Sequence, residues 1–202
     1  MTEATAATTL EPYLPRLTAA WARERPYERV RELDATLVSV DLSGFTALSE
    51  RLAAKGRAGS EELILVISGV FEGLIGITLR HGGDVLKFRG DALLLLFEGD
   101  GHAKRACRAS VDMQWFIEHA GSTMSSVGPV SLRMSTGVHT GTVHAFLVEA
   151  THRELMVTGP ADDKVVADTI AVEGLVTLLN SKVQPALVPN VNVSGVTCAL
   201  VL

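Results

Sequence analysis

The sequence predicts an α+β domain in which helices pack on a mostly antiparallel sheet. Two observations lead to this prediction. Short apolar runs rich in β-branched residues and leucine alternate with longer segments of helical periodicity. Several of the predicted strands also follow one another directly along the chain, as they do in antiparallel sheets. The predicted order of elements is β-α-α-β-β-α-β-β-β-α-β.

The first predicted elements lead up to a long helix. Residues 1–34 are interpreted as an accessory arm with one helix at about 15–24. A buried strand is predicted at 36–41, followed by a turn and a short helix that ends near residue 54. Ser60 is the predicted N-cap of the long helix. That helix ends at "HGG", where a glycine can adopt the left-handed C-terminal conformation.

The next elements are a hairpin, a helix and further strands. "DVLKF" and "ALLLLF" are predicted to be strands joined by the bend "RGD", and a helix is predicted from about 102 to 119. "GSTMSSVGP" is interpreted as a loop. Three further strands are predicted in "VSLRMSTGVHT", "TVHAFLVE" and "RELMVT". The predicted turn between the first two of these strands separates His139 from His144.

The last predicted elements are a helix, a strand and a tail. Pro160 lies just inside the start of a short helix, a favoured position for proline. "GLVTLL" is predicted to be a core strand. Residues 181–202 are apolar and β-prone without clear periodicity, and we interpret them as a strand-like tail.

Composition excludes several classes of protein. The 202 residues are 47% hydrophobic and 20% charged, which is typical of a globular domain and not of a disordered chain. The net charge of −5 argues against nonspecific binding to nucleic acid. Cys107 and Cys198 are far apart, so we expect neither a disulfide framework nor a zinc site.

The sequence also argues against secretion and membrane insertion. The first residues, "MTEATAATTLEPYL", lack the basic and apolar regions of a signal peptide. By our reading of the sequence, no apolar run approaches the roughly 20 residues that a membrane span needs. We therefore expect a cytoplasmic protein with no membrane or nucleic-acid partner.

Two aspartates interrupt apolar strands. Asp41 ends the strand "LVSVD", and Asp91 lies in the hairpin bend before "ALLLLF". A buried carboxylate is costly without a partner. Each aspartate can cap backbone N–H groups of its own turn. Alternatively, the two can hold a pair of cations about 3.5–4 Å apart, an arrangement used for in-line phosphoryl or nucleotidyl transfer.

The segment after Asp41 favours the second interpretation. In "DLSGFT" small residues follow the aspartate and a helix then begins, so free backbone N–H groups are available to a phosphate. Lys87 precedes Asp91 by four residues, and period-two counting puts both on one face. Lys87 is either a lysine at a sheet edge or a donor to a base or phosphate in a cleft.

Four segments together resemble the catalytic domain of class III nucleotide cyclases. They are "VDLSGFTALSERLA", "HGGDVLKFRGDALLLLF", "MSTGVHTGTVHAFLV" and "HRELMVTGPA", in the family's order and spacing over residues 35 to about 180. The chain is most similar to the first of two tandem domains in soluble, bicarbonate-responsive adenylyl cyclases and in actinobacterial tandem-cyclase proteins. The resemblance implies a ferredoxin-like fold and conversion of ATP to cyclic AMP and pyrophosphate.

The resemblance also implies roles for individual residues. Two divalent cations, Mg²⁺ or Mn²⁺, would be held by the carboxylates of Asp41 and Asp91 and by the Leu42 carbonyl. The turn that binds the triphosphate would be Ser43, Gly44, Phe45 and Thr46. Lys87 matches the lysine that reads adenine, and Met156, three residues before Gly159, matches the second base-reading position.

The sequence departs from the family pattern after Gly159. A transition-state Asn and Arg are expected four and eight residues later, where this chain has Asp163 and Ala167. A cationic clamp on a developing phosphoryl charge is worth about 3–5 powers of ten in rate in other phosphoryl-transfer enzymes. The chain therefore keeps the metal-binding half of the site and would need a complementary domain.

Other interpretations stay open. The active site of this family forms between two domains, so the partner would be a second copy or a second cyclase domain. In that geometry Lys87 and Arg133 would belong to a pseudo-symmetric cleft that holds a small anionic regulator. The main alternative is a non-catalytic module that dimerises and binds nucleotide or a small anion. A relative of GGDEF diguanylate cyclases fits "DLSGFT" and the Lys87–Asp91 spacing less well.

Overall fold

The computed structural model describes residues 14–120, 124–129, 132–149 and 153–158. Four helices and seven strands lie in these ranges, with the following bounds: α1 Arg16–Glu24, β1 Val30–Ser43, α2 Phe45–Ala53, α3 Arg57–Arg80, β2 Asp84–Arg89, β3 Ala92–Glu98, α4 His102–Ala120, β4 Met124–Ser125, β5 Gly128–Pro129, β6 Arg133–Glu149 and β7 Arg153–Thr158. Five strands form one sheet in the order β2-β3-β1-β6-β7, and β4 pairs with β5. All of these pairings are antiparallel, so the predicted α+β fold is confirmed.

The central strand β1 is longer than the predicted 36–41. It runs from Val30 to Ser43, and its first residues alternate between buried and exposed positions before six consecutive buried residues. Only this second part is rich in apolar and β-branched residues, so the sequence pattern predicted a strand there and not before it. β1 thus begins within the segment that we interpreted as an arm.

β6 is one strand, and the predicted break near residue 140 is wrong. Its ladder with β1 is continuous from Arg133 to Phe146, and Gly141 lies within it opposite Ala35. Pairing with β1 over this whole length keeps the backbone extended through a glycine that looked like a turn. His139 and His144 therefore lie on the same strand.

The predicted N-cap of the long helix is also wrong. α3 begins at Arg57 and its N-cap is Gly56, which has a φ of 64°. Ser60 lies inside the first turn, where its N–H and its hydroxyl both donate to the Gly56 carbonyl oxygen. The left-handed conformation required at this position favours glycine, which explains why the cap precedes the serine.

The structure also corrects the expectation that no apolar segment is long enough to span a membrane. This 24-residue helix is long and apolar enough to cross a membrane by length and composition alone, with 22% of its most apolar window buried. One side of it packs into the core through Val70, Leu74 and Ile77. Such a helix is weak evidence of a membrane span, because a core helix passes the same test.

Two apolar cores cover the two faces of the sheet. The first core joins α2, α3 and α4 to the even-numbered residues at the centre of β1, including Val38, Val40 and Leu42. The second joins α1 to the opposite face, where it includes Leu33, Ala35 and Leu37 of β1. β1 is buried because it lies between these two cores.

α1 is fixed to the sheet by polar contacts as well as by packing. The side chain of Asp84 in β2 accepts hydrogen bonds from the N–H groups of Arg16 and Leu17, at 3.0 and 2.9 Å. Trp21 is fully buried and donates its indole N–H to the Glu28 carbonyl oxygen at 3.0 Å. The predicted helix at 15–24 is thus confirmed.

Several predicted elements lie outside the described residues. These are the helix that starts near Pro160, the strand "GLVTLL", the tail at 181–202 and the domain boundary at residue 180.

Candidate active site

Asp41 and Asp91 come together at one end of the central strands. Asp41 is the last residue of β1 that pairs with β3, and its partner there is Ala92. Paired Cα atoms in an antiparallel ladder lie about 4.5–5.5 Å apart. Asp91 is the residue before Ala92, about 3.8 Å further along the chain. The Cα atoms of the two aspartates therefore lie within about 9 Å of each other.

A tight turn fixes the position of Asp91. Arg89 pairs with Ala92, so Gly90 and Asp91 alone connect β2 to β3. Gly90 has a φ of 70°, and Asp91, like every other described non-glycine residue, has a negative φ, which is the pattern of a type II′ turn. Asp91 is exposed and Asp41 is partly buried, so the pair lies at the surface of the sheet edge.

Lys87 lies on the same face of the sheet as Asp41. Residues paired across neighbouring strands share a face. Lys87 pairs with Leu94, and Leu94 pairs with Ser39, which precedes Asp41 by two residues. β2 and β1 are two strand spacings apart, and Asp41 is offset by two residues along the strand. The Cα atoms of Lys87 and Asp41 therefore lie about 12 Å apart.

This shared face is the one opposite α2, α3 and α4. The neighbours of Asp41 in β1, Val40 and Leu42, are both buried in the core that those helices form. Successive side chains of a strand point to opposite faces. Asp41 therefore points away from these helices, and on its face the core with α1 includes Leu37.

The turn after Asp41 begins a helix. From Leu42 onward, β1 is paired with β6 and the ladder with β3 has ended. Gly44 is the N-cap of α2, with a φ of 104° and no side chain to accept from the first N–H groups. Phe45 is buried against Phe71 at a ring-centroid distance of 6.4 Å, whereas Ser43 and Thr46 are exposed. Packing of Phe45 thus fixes the start of α2 beside Asp41.

Known proteins similar to this chain in sequence and in fold are nucleotide cyclases. No family model matches the chain. Human adenylate cyclase type 10 is 29% identical over 146 residues, which is 70% of this chain. The structure of a bacterial light-regulated adenylyl cyclase superposes with a TM-score of 0.71 at 18% identity, covering 86% of this chain and 51% of that one. The guanylyl cyclase Cya2 superposes with a TM-score of 0.58 at 26% identity, over 70% of this chain and 71% of that one.

The chain has the fold of class III nucleotide cyclase domains. The resemblance stated from the sequence is confirmed, and the similar proteins are adenylyl and guanylyl cyclases. The chain spans only 9% of the length of the human protein. Activities of the whole relatives therefore enter below as proposals.

Within this class III cyclase fold, the two candidate base-reading residues lie far apart. Lys87 is on β2 and Met156 is on β7, and these are opposite edges of the five-stranded sheet. Met156 is half exposed, and its neighbours in β7, Leu155 and Val157, face the core with α1. The described part of the chain does not bring Met156 to the face of Lys87. Asp163 and Ala167 lie outside it.

The donor atoms at the aspartate pair suit a hard cation. Among the described residues, no group of three or more His, Cys, Asp and Glu side chains could hold a metal ion. Asp41 and Asp91 are thus a pair of carboxylates with the Leu42 carbonyl nearby in the chain. Carboxylate and carbonyl oxygens are the ligands that Mg²⁺ and Mn²⁺ prefer, and Mg²⁺ sites often use one or two carboxylates plus substrate phosphates.

Sequence reasoning missed two polar clusters that hold this fold. The bond from Asp84 to the start of α1 joins residues 67 and 68 positions apart, so no local pattern announces it. The hydroxyl of Thr36 lies 2.7 Å from His102 Nδ1 and 2.8 Å from the Thr140 hydroxyl. This second cluster joins β1, α4 and β6 inside the first core.

Proposed function

We propose that this chain is an adenylyl cyclase domain that contributes the metal-binding half of an active site. The reaction would convert ATP to 3′,5′-cyclic AMP and pyrophosphate. The observation that carries the proposal is the position of Asp41 opposite Ala92, beside Asp91, on the face of the sheet opposite α2, α3 and α4. Carboxylates on two rigid neighbouring strands are what a two-cation site requires.

Each part of the site has a role in this proposal. Asp41, Asp91 and the Leu42 carbonyl would hold two Mg²⁺ or Mn²⁺ ions, which supply activation of the 3′-hydroxyl and stabilisation of the triphosphate charge. The first N–H groups of α2, in the turn Ser43–Thr46, would donate to the triphosphate. Lys87 would donate to adenine N1 or, in a pseudo-symmetric arrangement, bind a small anionic regulator.

A second domain completes the proposed site. Asp163 and Ala167 stand where the resemblance implies an Asn and an Arg, and an aspartate there would repel phosphate. A complementary cyclase domain, or a second copy of the chain, would supply these groups across the face that carries Asp41. We also propose the domain limits 35–180, with an arm before and a tail after, and a cytoplasmic location.

One observation favours a second function. Because positions 163 and 167 are Asp and Ala, the chain lacks the Asn and Arg that would stabilise the transition state. A cationic clamp of this kind contributes about 3–5 powers of ten in rate in other phosphoryl-transfer enzymes. The alternative is a regulatory module that dimerises and binds nucleotide or a small anion without turnover. The two functions differ in turnover and agree in binding Mn²⁺-ATP.

The test measures both properties on the purified chain. Cyclic AMP formation from Mn²⁺-ATP is followed over a wide range of protein concentration, and Mn²⁺-ATP binding is measured by calorimetry. Asp91→Asn is the test variant. Glu72→Gln, an exposed carboxylate on α3, is the matched control.

The outcomes test turnover and the metal site separately. Activity that rises more steeply than linearly with protein and is lost only in Asp91→Asn supports a working homodimer. Binding without turnover, again lost only in Asp91→Asn, supports a half-site that needs a partner or a regulatory module. Binding that is absent, or unchanged when both Asp41 and Asp91 are replaced, contradicts the metal site.

A further inference from the structure

A basic cavity lies between the end of α3 and the start of α4. It has a volume of about 520 Å³, within the range of roughly 300–1,000 Å³ typical of small-molecule sites. Its charged lining consists of Arg80, Lys104, Arg105, Arg108 and Asp100. Four cations and one carboxylate give a local charge of +3, with histidine neutral, in a chain whose net charge is −5.

Arg105 holds the wall of this cavity together. Its Nε donates to the His81 carbonyl oxygen at 3.1 Å, and its Nη2 donates to the Glu98 carbonyl oxygen at 2.6 Å. Its Nη1 donates to the Asp100 carbonyl oxygen. One guanidinium thus ties the end of α3 to the loop after β3, so the cavity has a fixed shape.

The other three cations are available to a ligand. In the described part of the chain, Arg80, Lys104 and Arg108 make no hydrogen bond or ion pair. Lys104 and Arg108 lie one turn apart on α4, a spacing at which like charges repel. Lys104 also lies in the first turn of α4, where the helix dipole disfavours a cation. The free protein therefore carries an electrostatic cost here that a bound anion would remove.

Nearby acidic groups do not neutralise the cavity. Asp112 lies 2.7 Å from His81 Nε2 and is engaged there. Asp100 is the single carboxylate among the lining residues, and His81, Gly82 and Gly101 complete the lining. Three lining cations that make no hydrogen bond or ion pair within the described residues suit a ligand with several negative oxygens.

We propose that this cavity binds an oligophosphate, separately from the candidate active site. Arg80, Lys104 and Arg108 donate to its phosphate oxygens, while Arg105 holds the wall. The cavity lies at the Glu98 end of β3 and the aspartate pair lies at the Ala92 end, so the two sites are about 20 Å apart. The inference does not rest on the proposed cyclase activity.

The test is calorimetric titration with tripolyphosphate, in EDTA and at constant ionic strength. EDTA removes the divalent ions on which triphosphate binding at Asp41 and Asp91 would depend. The test variant is Arg80→Gln with Arg108→Gln. The control is Arg16→Gln with Arg57→Gln, which removes the same charge from two exposed arginines elsewhere. Circular dichroism checks that each variant folds.

We expect saturable binding to the unaltered chain and to the control, and binding at least about tenfold weaker in Arg80→Gln/Arg108→Gln, because two charge-assisted hydrogen bonds are lost. Equal affinity for metal-free ATP would show that phosphates alone are recognised, and tighter ATP binding would identify a nucleotide as the ligand. Absence of saturable binding, or equal weakening in both double variants, would overturn the proposal.

Discussion

The ring of Phe116 in α4 lies directly against Gly73 in α3. A Cβ atom placed on Gly73 would lie 2.1 Å from Phe116 Cζ, far inside van der Waals contact. The two helices can therefore approach each other at this point only because residue 73 has no side chain. α3 and α4 form the layer behind the strands that carry the aspartate pair, so this contact supports the site indirectly.

This contact gives a prediction with a control on the same helix. Gly73→Ala should destabilise the protein by about 1–3 kcal/mol, because the phenyl ring must move within a packed core. Gly69→Ala meets nothing within 4 Å and should stabilise it by about 0.5–1 kcal/mol, because alanine is the better helix former. Urea denaturation of both variants checks the opposite signs. Equal effects would show that helix propensity outweighs the contact.

The bond between Asp84 and α1 gives a second prediction. Asp84→Ala removes the acceptor for the N–H groups of Arg16 and Leu17, and side-chain caps of this kind are worth about 0.5–2 kcal/mol. We expect a loss of that size in the free energy of unfolding, together with faster hydrogen exchange in α1. Asp34→Ala is the control, since that side chain is 86% exposed and its contact with His102 Nε2 is long, at 3.9 Å. A comparable loss in the control would contradict the role of Asp84.

Local patterns revealed the elements but not their limits. The hairpin of β2 and β3 and the helix α4 were predicted nearly to the residue, because turn glycines and apolar periodicity mark both ends. β6 was divided at Gly141, and the start of β1 was missed. In both cases long-range pairing between β1 and β6 decides the conformation, and a single-sequence pattern contains no information about it.

The candidate site also combines a local sequence signal with a long-range arrangement of strands. Asp41 and Asp91 were singled out as carboxylates that interrupt apolar strands, a local signal. Their proximity depends on β1 lying next to β3, and no local pattern in the sequence shows that order. Met156 was assigned a base-reading role beside Lys87 from the family resemblance, and in the described residues the two lie on opposite edges of the sheet.

Glu62 gives a prediction about pH. Hydrogen bonds from the side chain and then the backbone N–H of Ser126 hold the pKa of Glu62 below its ordinary value of 4.5. Ser126 lies in the turn of the β4–β5 hairpin. Arg51 and Lys55 also donate to this turn, at the carbonyl oxygens of Val127 and Ser126 respectively. A carboxylate with a lowered pKa stabilises the folded state above its unfolded value, and that contribution is lost as the pH falls through the folded pKa.

We therefore expect Glu62→Gln to reduce stability at pH 7 and to have a smaller effect as the pH falls below 4.5. Thermal unfolding of both proteins between pH 7 and pH 3 measures this convergence. Glu72→Gln on the same helix is the control, since Glu72 makes no hydrogen bond or ion pair with the described residues. A difference between Glu62→Gln and the unaltered protein that stays constant with pH would show that the carboxylate charge is not the cause.

Lys87 gives a prediction that rests on the proposed function. Adenine N1 accepts a hydrogen bond, whereas guanine N1 carries a proton and donates one, so a lysine donor favours ATP over GTP. Lys87→Gln should weaken Mn²⁺-ATP binding about tenfold, the effect of losing one charge-assisted hydrogen bond, and leave Mn²⁺-GTP binding nearly unchanged.

Lys55→Gln removes the same charge near the β4–β5 hairpin and should leave both nucleotides unaffected. Competition binding with a fluorescent nucleotide measures the four affinities. Equal loss for ATP and GTP in Lys87→Gln would mean that Lys87 contacts phosphate. Unchanged ATP binding would contradict the adenine-reading role, and a titration with bicarbonate would then distinguish a regulatory cleft from a lysine that only lies at a sheet edge.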